Sequence, residues 1–469
     1  MKYILAIDQG SSGTMAALFD HHARMLDSVD IPILGRMLDG GRVEYRPEEL
    51  LESVRQAACL LMEKHPEAIE DLMGMGLANQ GESFLLWKKN TRKPLTPVIS
   101  WQDRRCESLC RQLTDEGHDT WFHAKTGLHL SCEWPALKIR YLRETDPVLD
   151  ALCRKGDVVF GQLDAWFLSA LTGGAACASD HGTACRSGLY NGIDLCWDKE
   201  LLCFFRADDL WLPELADNVC CFAGVDLGFG KRIPWVAGGL DQAVAMIGQG
   251  CVHPKTAKIT YGTCCACWIN TGKDLIFDEK LTSGIAWKIG KSRTYALAAE
   301  GPSCGNILAW IRQTMHADWP LEDLSAIAQA YCEPDNLLFV PAFSGLDAPH
   351  WAPEAKGSFL GMTFETKAEH ILRAALDAIA YSIRDIFDYM PPCDRLVVDG
   401  GMTANAYLLQ KQADVLGRPL EKTHTIEGTI AGIAYLACIS MGYMKGMQDI
   451  PAAGEQEIIQ ADPGCGDAG

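Results

Sequence analysis

Tyr3-Ile4-Leu5-Ala6-Ile7-Asp8-Gln9-Gly10-Ser11-Ser12-Gly13-Thr14 carries five mainly apolar residues into a carboxylate and then into a run of glycines and hydroxyls. A short apolar run bounded by turn residues predicts a buried strand. Residues 15–19, Met15-Ala16-Ala17-Leu18-Phe19, predict a second strand leaving the turn. The pattern recurs later, where Ala257-Lys258-Ile259-Thr260-Tyr261 runs into Gly262-Thr263. Between the two copies, apolar runs at 72–78, 83–87 and 157–160 alternate with helix-like segments such as 164–172, stopped by Gly173-Gly174. Alternation of this kind predicts an α/β architecture. A candidate boundary falls at Val236-Ala237-Gly238-Gly239-Leu240.

Two helices stand out. Over 367–390, Ile371, Ala374, Ala375, Ala378 and Ile379 recur with helical spacing behind Thr366-Lys-Ala-Glu369, which reads as a capping box. Another runs from about 404 to 416, stopped by Gly417 and Pro419, just after Leu396-Val397-Val398-Asp399-Gly400-Gly401. A helix N-terminus at a strand end suits phosphate.

The chain has 469 residues, enough for two to four domains at about 100–200 residues each. Its net charge of −19 opposes binding to a polyphosphate backbone, so nucleic acid is not an expected partner. No stretch approaches the roughly 20 apolar residues of a spanning helix, and the N-terminus lacks a signal-peptide pattern. The expected partner is a small molecule, not a membrane, and the expected location is cytoplasmic. The 20 cysteines are scattered, which in a reducing compartment predicts free thiols. Cys264-Cys265-Ala266-Cys267 has one C-x-x-C spacing without a matching second pair, and reads as small hydrophobes in a strand.

Several segments carry chemistry. Gly10, Ser11 and Ser12 can bring backbone N–H groups and hydroxyls to a phosphate, and Asp8 can hold Mg²⁺ through water. Taken alone, the same turn is equally a polar hairpin. Asp241-Gln242 follows a glycine turn, where a carboxylate suits a general base or, locally, a helix N-cap. Asn79-Gln80-Gly81-Glu82-Ser83 and Trp101-Gln102-Asp103-Arg104-Arg105 combine an aromatic ring with carboxylates and amides, which lines polyhydroxyl sites but also occurs in surface loops. Gly290-Lys291-Ser292 imitates the end of a P-loop, but Ile285 stands where the upstream glycine belongs.

Together these segments resemble the FGGY carbohydrate kinase family from Asp8 to about Met444, and within it most the glycerol-kinase branch. Gly357-Ser-Phe-Leu-Gly361-Met362, followed after seven residues by His370-Ile-Leu-Arg-Ala374-Ala375-Leu376-Asp377, fits the second family signature. Pro135-Ala-Leu-Lys138-Ile-Arg-Tyr141 resembles the first, with Tyr141 where the family prefers Trp. Thr260-Tyr261-Gly262-Thr263, Val340 to Leu346, and Val398-Asp399-Gly400-Gly401 with Asn405 add to the match.

The resemblance implies two ribonuclease H-like α/β domains of the actin and hexokinase type around an interdomain cleft. It divides the chain into residues 1–239 for substrate and the first phosphate turn, 240–445 for ATP, and a tail at 446–469. It implies phosphorylation of a polyol or sugar hydroxyl by ATP with Mg²⁺, Asp241 as base and Asp8 serving the metal. Gly10, Ser11, Ser12, Gly262, Thr263, Gly305, Gly400, Gly401 and Asn405 would meet the nucleotide. Gly81, Glu82, Trp101, Asp103, Glu133, Asp241 and Gln242 would form the substrate shell. A homodimer is compatible with the resemblance.

The departures fall at the substrate. Gly81 stands where the glycerol-specific pattern has Arg, and Glu133 where it has Tyr. Loss of a guanidinium deletes donors and predicts a roomier pocket, favouring a four- to six-carbon polyol or ketose over glycerol. On the nucleotide side, Met15 replaces an Arg and Cys264 a Gly, and the loss of a cation near the phosphates sets a non-catalytic nucleotide- or sugar-binding regulator on the same fold as the alternative reading.

Overall fold

The apolar run near the N-terminus forms the strand Tyr3–Gln9, with Ile4 to Ile7 fully buried, and Gly13–Asp20 returns antiparallel to it. The computed structural model describes residues 1–331, 337–343, 345–352, 354–423, 427–451 and 456–462. On its other side Tyr3–Gln9 pairs in parallel with Leu72–Asn79, which pairs in parallel with Arg232–Leu240. Met25–Pro32 and Val219–Asp226 complete this six-stranded sheet as antiparallel edges.

The second sheet repeats the plan. Thr256–Tyr261 pairs antiparallel with Cys264–Gly272 and parallel with Arg395–Asp399, which pairs in parallel with Leu420–Thr423. Ser292–Ser303 follows Cys264–Gly272 on one side, with Thr282–Ile289 outside it. Gln456–Ile459 forms the opposite edge, so the segment expected as a tail contributes a strand to this sheet. Shared order and direction of the strands give the duplicated ribonuclease H-like core that the resemblance implies. The turn Gly290-Lys291 simply joins the hairpin Thr282–Ile289 and Ser292–Ser303.

Between the sheets lie the helices Asp241–Gly248 and Gly428–Ser440. One apolar core joins Ile4, Ala6 and Phe19 of the first sheet, Trp268, Ala298 and Val397 of the second, and Val244, Ile247, Ile430 and Ile433 of the helix pair. The pair makes backbone contact: a Cβ at Gly248 would lie 1.8 Å from the Gly428 carbonyl oxygen, and one at Gly432 would lie 2.0 Å from that of Val244. The strand Arg232–Leu240 runs directly into the helix Asp241–Gly248.

A five-stranded sheet, Arg36–Leu38, Arg42–Tyr45, Val98–Ile99, Phe84–Lys88 and Val158–Gln162, is inserted in the first half and carries the substrate-side loops. The long C-terminal helix is Ala368–Phe387. Its cap departs from expectation: Lys367 N–H donates to His370 Nδ1 at 3.0 Å. Thr366 Oγ1 is occupied by the Thr363 N–H in the preceding turn, so it does not cap. Among the described residues, no helix is long and apolar enough to cross a membrane.

Candidate active site

Three adjacent parallel strands end side by side at Asp8-Gln9, Asn79-Gln80 and Leu240-Asp241, where open α/β sheets collect their ligands. Beyond these ends lies a cavity of about 140 Å³ lined by Ser11, Gly81, Glu82, Trp101, Glu133, Arg186, Leu240, Asp241, Gln242 and Trp268. A larger cleft of about 530 Å³ shares Trp101 and Glu133 with it and reaches Thr263, Cys264, Ser303 and Asn306. Segments far apart in sequence thus meet between the two sheets.

Asp241 is the first residue of its helix, and Leu240 occupies the N-cap position. Asp241 Oδ1 accepts the Gln242 N–H at 2.6 Å. Gln242 Oε1 accepts from Lys258 Nζ at 2.8 Å, and Lys258, fully buried in the second sheet, also donates to Thr260 Oγ1 at 2.6 Å. Trp101 Nε1 donates to Ser11 Oγ at 3.1 Å, so the substrate-side ring touches the first glycine–hydroxyl turn. Buried Lys138, in the helix Pro135–Thr145, donates to the carbonyls of Ser100 (2.6 Å), Trp101 (3.2 Å) and Glu133 (3.1 Å). A lysine ammonium has three protons to donate, and these carbonyls take all three. It fixes the loops carrying Trp101 and Glu133 to each other.

Two substrate-side expectations need correction. Asp103 does not line the cavity. Its Oδ2 accepts the Val43 N–H at 2.8 Å and Arg105 Nη2 at 2.8 Å, while Oδ1 accepts Arg105 Nε at 2.8 Å. The carboxylate is consumed in holding its own loop. Nor does Gly81 leave open space, because a Cβ there would lie 2.5 Å from Leu240 Cδ1. The Leu240 side chain thus takes part of the room expected at Gly81, which still lines the cavity.

The guanidinium missing at position 81 returns from another element. Arg186, which follows the short helix His181–Cys185, donates from Nε to Glu82 Oε1 at 2.6 Å. Its guanidinium lies 4.6 Å from the Trp134 ring and 5.7 Å from the Trp268 ring. Gln162 Nε2 bridges the Gly81 carbonyl at 2.7 Å and the Thr183 carbonyl at 2.8 Å, which brings Glu82 and Arg186 together. Neither Arg186 nor Lys258 sits in a recognisable motif. Lys258 is signalled only as a basic residue inside a mainly apolar run, and Arg186, among His181, Thr183, Ser187 and Asn191, carries no such signal.

Behind Arg186, Asp180 Oδ1 caps the helix through the Thr183 N–H at 3.0 Å. Next to it is Asp164, whose Oδ2 accepts from Ser179 Oγ at 2.5 Å. Burial first, and the Asp180 charge second, push Asp164 up to about 7 from 3.8. Folded Asp164 therefore keeps a proton that the unfolded chain loses, and stability falls as pH rises from about 4 to about 7. The slope from this group reaches about 1.4 kcal/mol per pH unit. Urea denaturation across that range should show the slope in the wild type and a flatter profile in Asp164→Asn; identical profiles would refute it.

On the nucleotide side the expected glycines converge. The Gly305 N–H donates to the Gly262 carbonyl at 3.0 Å, and the Cys304 N–H to that of Thr263 at 2.9 Å. Gly400, at φ +94°, packs so tightly that a Cβ would lie 2.5 Å from the Tyr261 carbonyl oxygen. Gly401 opens a 3₁₀ turn, and Asn405 Oδ1 caps the helix Ala406–Leu416 through the Leu408 N–H at 3.0 Å. Gly10 and Gly13 close the first turn at 2.9 Å between N–H and carbonyl, while Ser12 is exposed. Cys265 and Cys267 are buried in the strand Cys264–Gly272 as small hydrophobes.

Carboxylates gather around Asp8 at the end of its strand. Burial first, then the charges of Asp241, Glu427 and Asp30, hold Asp8 well above the usual carboxylate range. Asp8 Oδ1 and Asp399 Oδ1 are buried without a hydrogen-bond partner among the described residues. Among those residues no three side chains enclose a bare ion. Mg²⁺ that keeps its waters and takes phosphate oxygens needs only one or two carboxylates, so the orphaned Asp8 oxygen fits that role.

The family model for the N-terminal domain of FGGY carbohydrate kinases matches residues 3–248, and that for the C-terminal domain matches 257–441. The chain belongs to the FGGY family of carbohydrate kinases. As such it is a phosphotransferase with an alcohol group as acceptor. Glycerol kinase of Coxiella burnetii (strain Dugway 5J108-111) is 34 % identical over 472 residues, covering 98 % of this chain and 94 % of that protein. The crystal structure of Plasmodium falciparum glycerol kinase with ADP superposes with a TM-score of 0.89 at 28 % identity, covering 98 % and 94 % of the two chains. Gluconate kinase from Lactobacillus acidophilus reaches the same TM-score of 0.89 at 21 % identity, with 99 % and 94 % covered, and shows the fold.

Proposed function

We propose that this FGGY kinase transfers the terminal phosphoryl group of ATP to a hydroxyl of a small neutral polyol or sugar, with Asp241 as general base. The observation that carries this is one cavity shared by Asp241, Glu82, Trp101 and Ser11. A hydroxyl bound there meets a carboxylate on one side and the first phosphate turn on the other. Asp241 takes the proton of the attacking hydroxyl as its oxygen reaches the phosphoryl group. Glu82, Glu133 and Gln242 accept or donate to the remaining hydroxyls, and the Trp101 and Trp268 rings cover C–H faces. The ADP-bound Plasmodium relative supports ATP as donor. Mg²⁺, held through water by Asp8, would offset charge on the phosphate oxygens.

Three carboxylates and one cation, already paired with Glu82, favour neutral hydroxylic substrates over sugar acids. Leu240 against Gly81 keeps the cavity small, which brings glycerol into the range beside four- to six-carbon polyols and ketoses. The test is ADP release from Mg-ATP with glycerol, erythritol, threitol, erythrulose, ribitol, xylitol, arabitol, xylulose, ribulose and gluconate. A neutral polyol or ketose should stimulate release and gluconate should not. Arg186→Ala should raise KM for that substrate about 10–100-fold, since it removes a charged hydrogen bond that sets Glu82. Release indifferent to every compound, or stimulated by gluconate alone, would overturn the proposal.

A further inference from the structure

Gln242 lines the smaller cavity, one residue after the proposed base, and its amide has two chemically different ends. Oε1 accepts from Lys258 Nζ at 2.8 Å. An ammonium group donates and has no lone pair with which to accept, so the amide turns its oxygen, not its nitrogen, toward Lys258. The amide NH2 is left over, and among the described residues no hydrogen bond occupies it. Lys258 is held firmly in this place. It is fully buried in the strand Thr256–Tyr261, directly opposite Trp268 in the antiparallel pair with Cys264–Gly272. Directly paired residues share one face of a sheet, and Trp268 lines the cavity, so Lys258 stands behind the cavity wall without facing the cavity itself. Thr260, two residues on and therefore on the same face, accepts from Lys258 through Oγ1 at 2.6 Å. The two bonds tie the helix Asp241–Gly248 to the strand that runs into the Gly262-Thr263 turn.

We propose that Lys258 is a positioning residue that fixes the Gln242 amide with its NH2 toward the cavity, so that the substrate must present an oxygen lone pair there. The inference rests on the kinase function proposed above and narrows its substrate class. Glu82, Glu133 and Asp241 face the same cavity as carboxylates, which are acceptors for hydroxyl protons. A hydroxyl that gives its proton to one of them has only lone pairs left for its other side. A ketose carbonyl has only lone pairs to begin with. The Gln242 NH2 therefore suits a second oxygen of the substrate, hydroxyl or carbonyl, close to the hydroxyl that Asp241 deprotonates.

Removing the lysine head group removes the constraint. The two ends of a glutamine amide have nearly the same shape, so an amide without Lys258 turns over freely and offers either end to the substrate. Binding then weakens by the worth of one oriented hydrogen bond. The effect belongs to substrate binding and not to the chemical step, because Gln242 holds an oxygen that does not react. It also vanishes when the amide itself is absent, which separates orientation through Gln242 from any direct effect of the lysine charge on Asp241 or on the phosphates.

The test uses the full chain and the compound that the ADP-release panel selects. Calorimetric titration without ATP gives Kd, and steady-state kinetics give KM and kcat, for the wild type, Lys258→Met, Gln242→Ala, the double variant and Gln242→Glu. Lys258→Met should raise Kd and KM about 3–10-fold with kcat nearly unchanged. In the Gln242→Ala background the same substitution should move neither constant. Gln242→Glu keeps a partner for Lys258 but puts an oxygen where the NH2 was, and should raise Kd about 10–100-fold while its melting temperature holds. Should Lys258→Met fail to fold, Gln242→Glu still decides, since it leaves the lysine in place. A Lys258→Met penalty that persists in Gln242→Ala, a penalty confined to kcat, or a wild-type Kd in Gln242→Glu would overturn the proposal. Failure of the kinase reading shows separately, as a wild type that releases ADP with no compound of the panel, and it takes this inference with it.

Discussion

Asp241→Asn should lower kcat by about 10²–10⁴-fold, the contribution typical of a positioned general base, with KM nearly unchanged. The substitution keeps shape and most bonding: an asparagine oxygen can still accept the Gln242 N–H, now made at 2.6 Å, and Leu240 still occupies the N-cap position. It removes the group that receives the hydroxyl proton, along with one of the charges that press on Asp8. Folding should therefore survive, and thermal stability of the ligand-free protein should hold or rise. ADP release with the substrate found by the panel is the readout, beside a melting curve of each protein. A loss under tenfold would remove Asp241 from the base role. A large loss with an early melt would place its effect in folding.

What could be read without coordinates divides along a physical line. The two glycine–hydroxyl turns follow local runs, Tyr3 to Thr14 and Ala257 to Thr263, because a buried strand and its turn are encoded by neighbouring residues. Asp8, Asp241, Gly262 and Gly400 all lie at strand ends for that reason. The substrate shell is different, since its composition depends on residues brought together by tertiary contact. Gly81 alone predicts an open pocket, yet Leu240 narrows it from the neighbouring strand end and Arg186 supplies a cation from 105 residues away, 186 against 81. Asp103 failed in the opposite sense, because its Arg105 and Val43 partners are visible only once the loop has folded. Lys258 and Lys138 are buried amines that only their partners explain, an amide and a hydroxyl for one and three carbonyls for the other.

Gly432→Ala should both destabilise the protein and impair catalysis at temperatures where it stays folded. An exposed helical Gly→Ala gains about 1 kcal/mol from backbone entropy. Here the added methyl would lie 2.0 Å from the Val244 carbonyl oxygen and 2.9 Å from the Gly248 nitrogen. Both are backbone atoms, so no side-chain rotation relieves the clash and the helices Asp241–Gly248 and Gly428–Ser440 must separate. Overpacking typically costs about 1–3 kcal/mol, and a backbone-to-backbone clash belongs at the upper end or beyond, so the net loss should be about 2 kcal/mol or more. Gly224→Ala is the control, because a Cβ there meets nothing within 4 Å. Urea midpoints should fall for the first and barely move for the second. The catalytic effect follows from the same contact: Val244 is one turn beyond Asp241, so a helix pushed off its partner carries the carboxylate with it. A shift near an ångström at a reacting group is worth up to about 10²-fold in kcat/KM. Equal midpoints for the two variants would mean that the helix pair can slide without cost. A lowered midpoint with full kcat/KM would mean that Asp241 is held by the strand Arg232–Leu240 rather than by its helix.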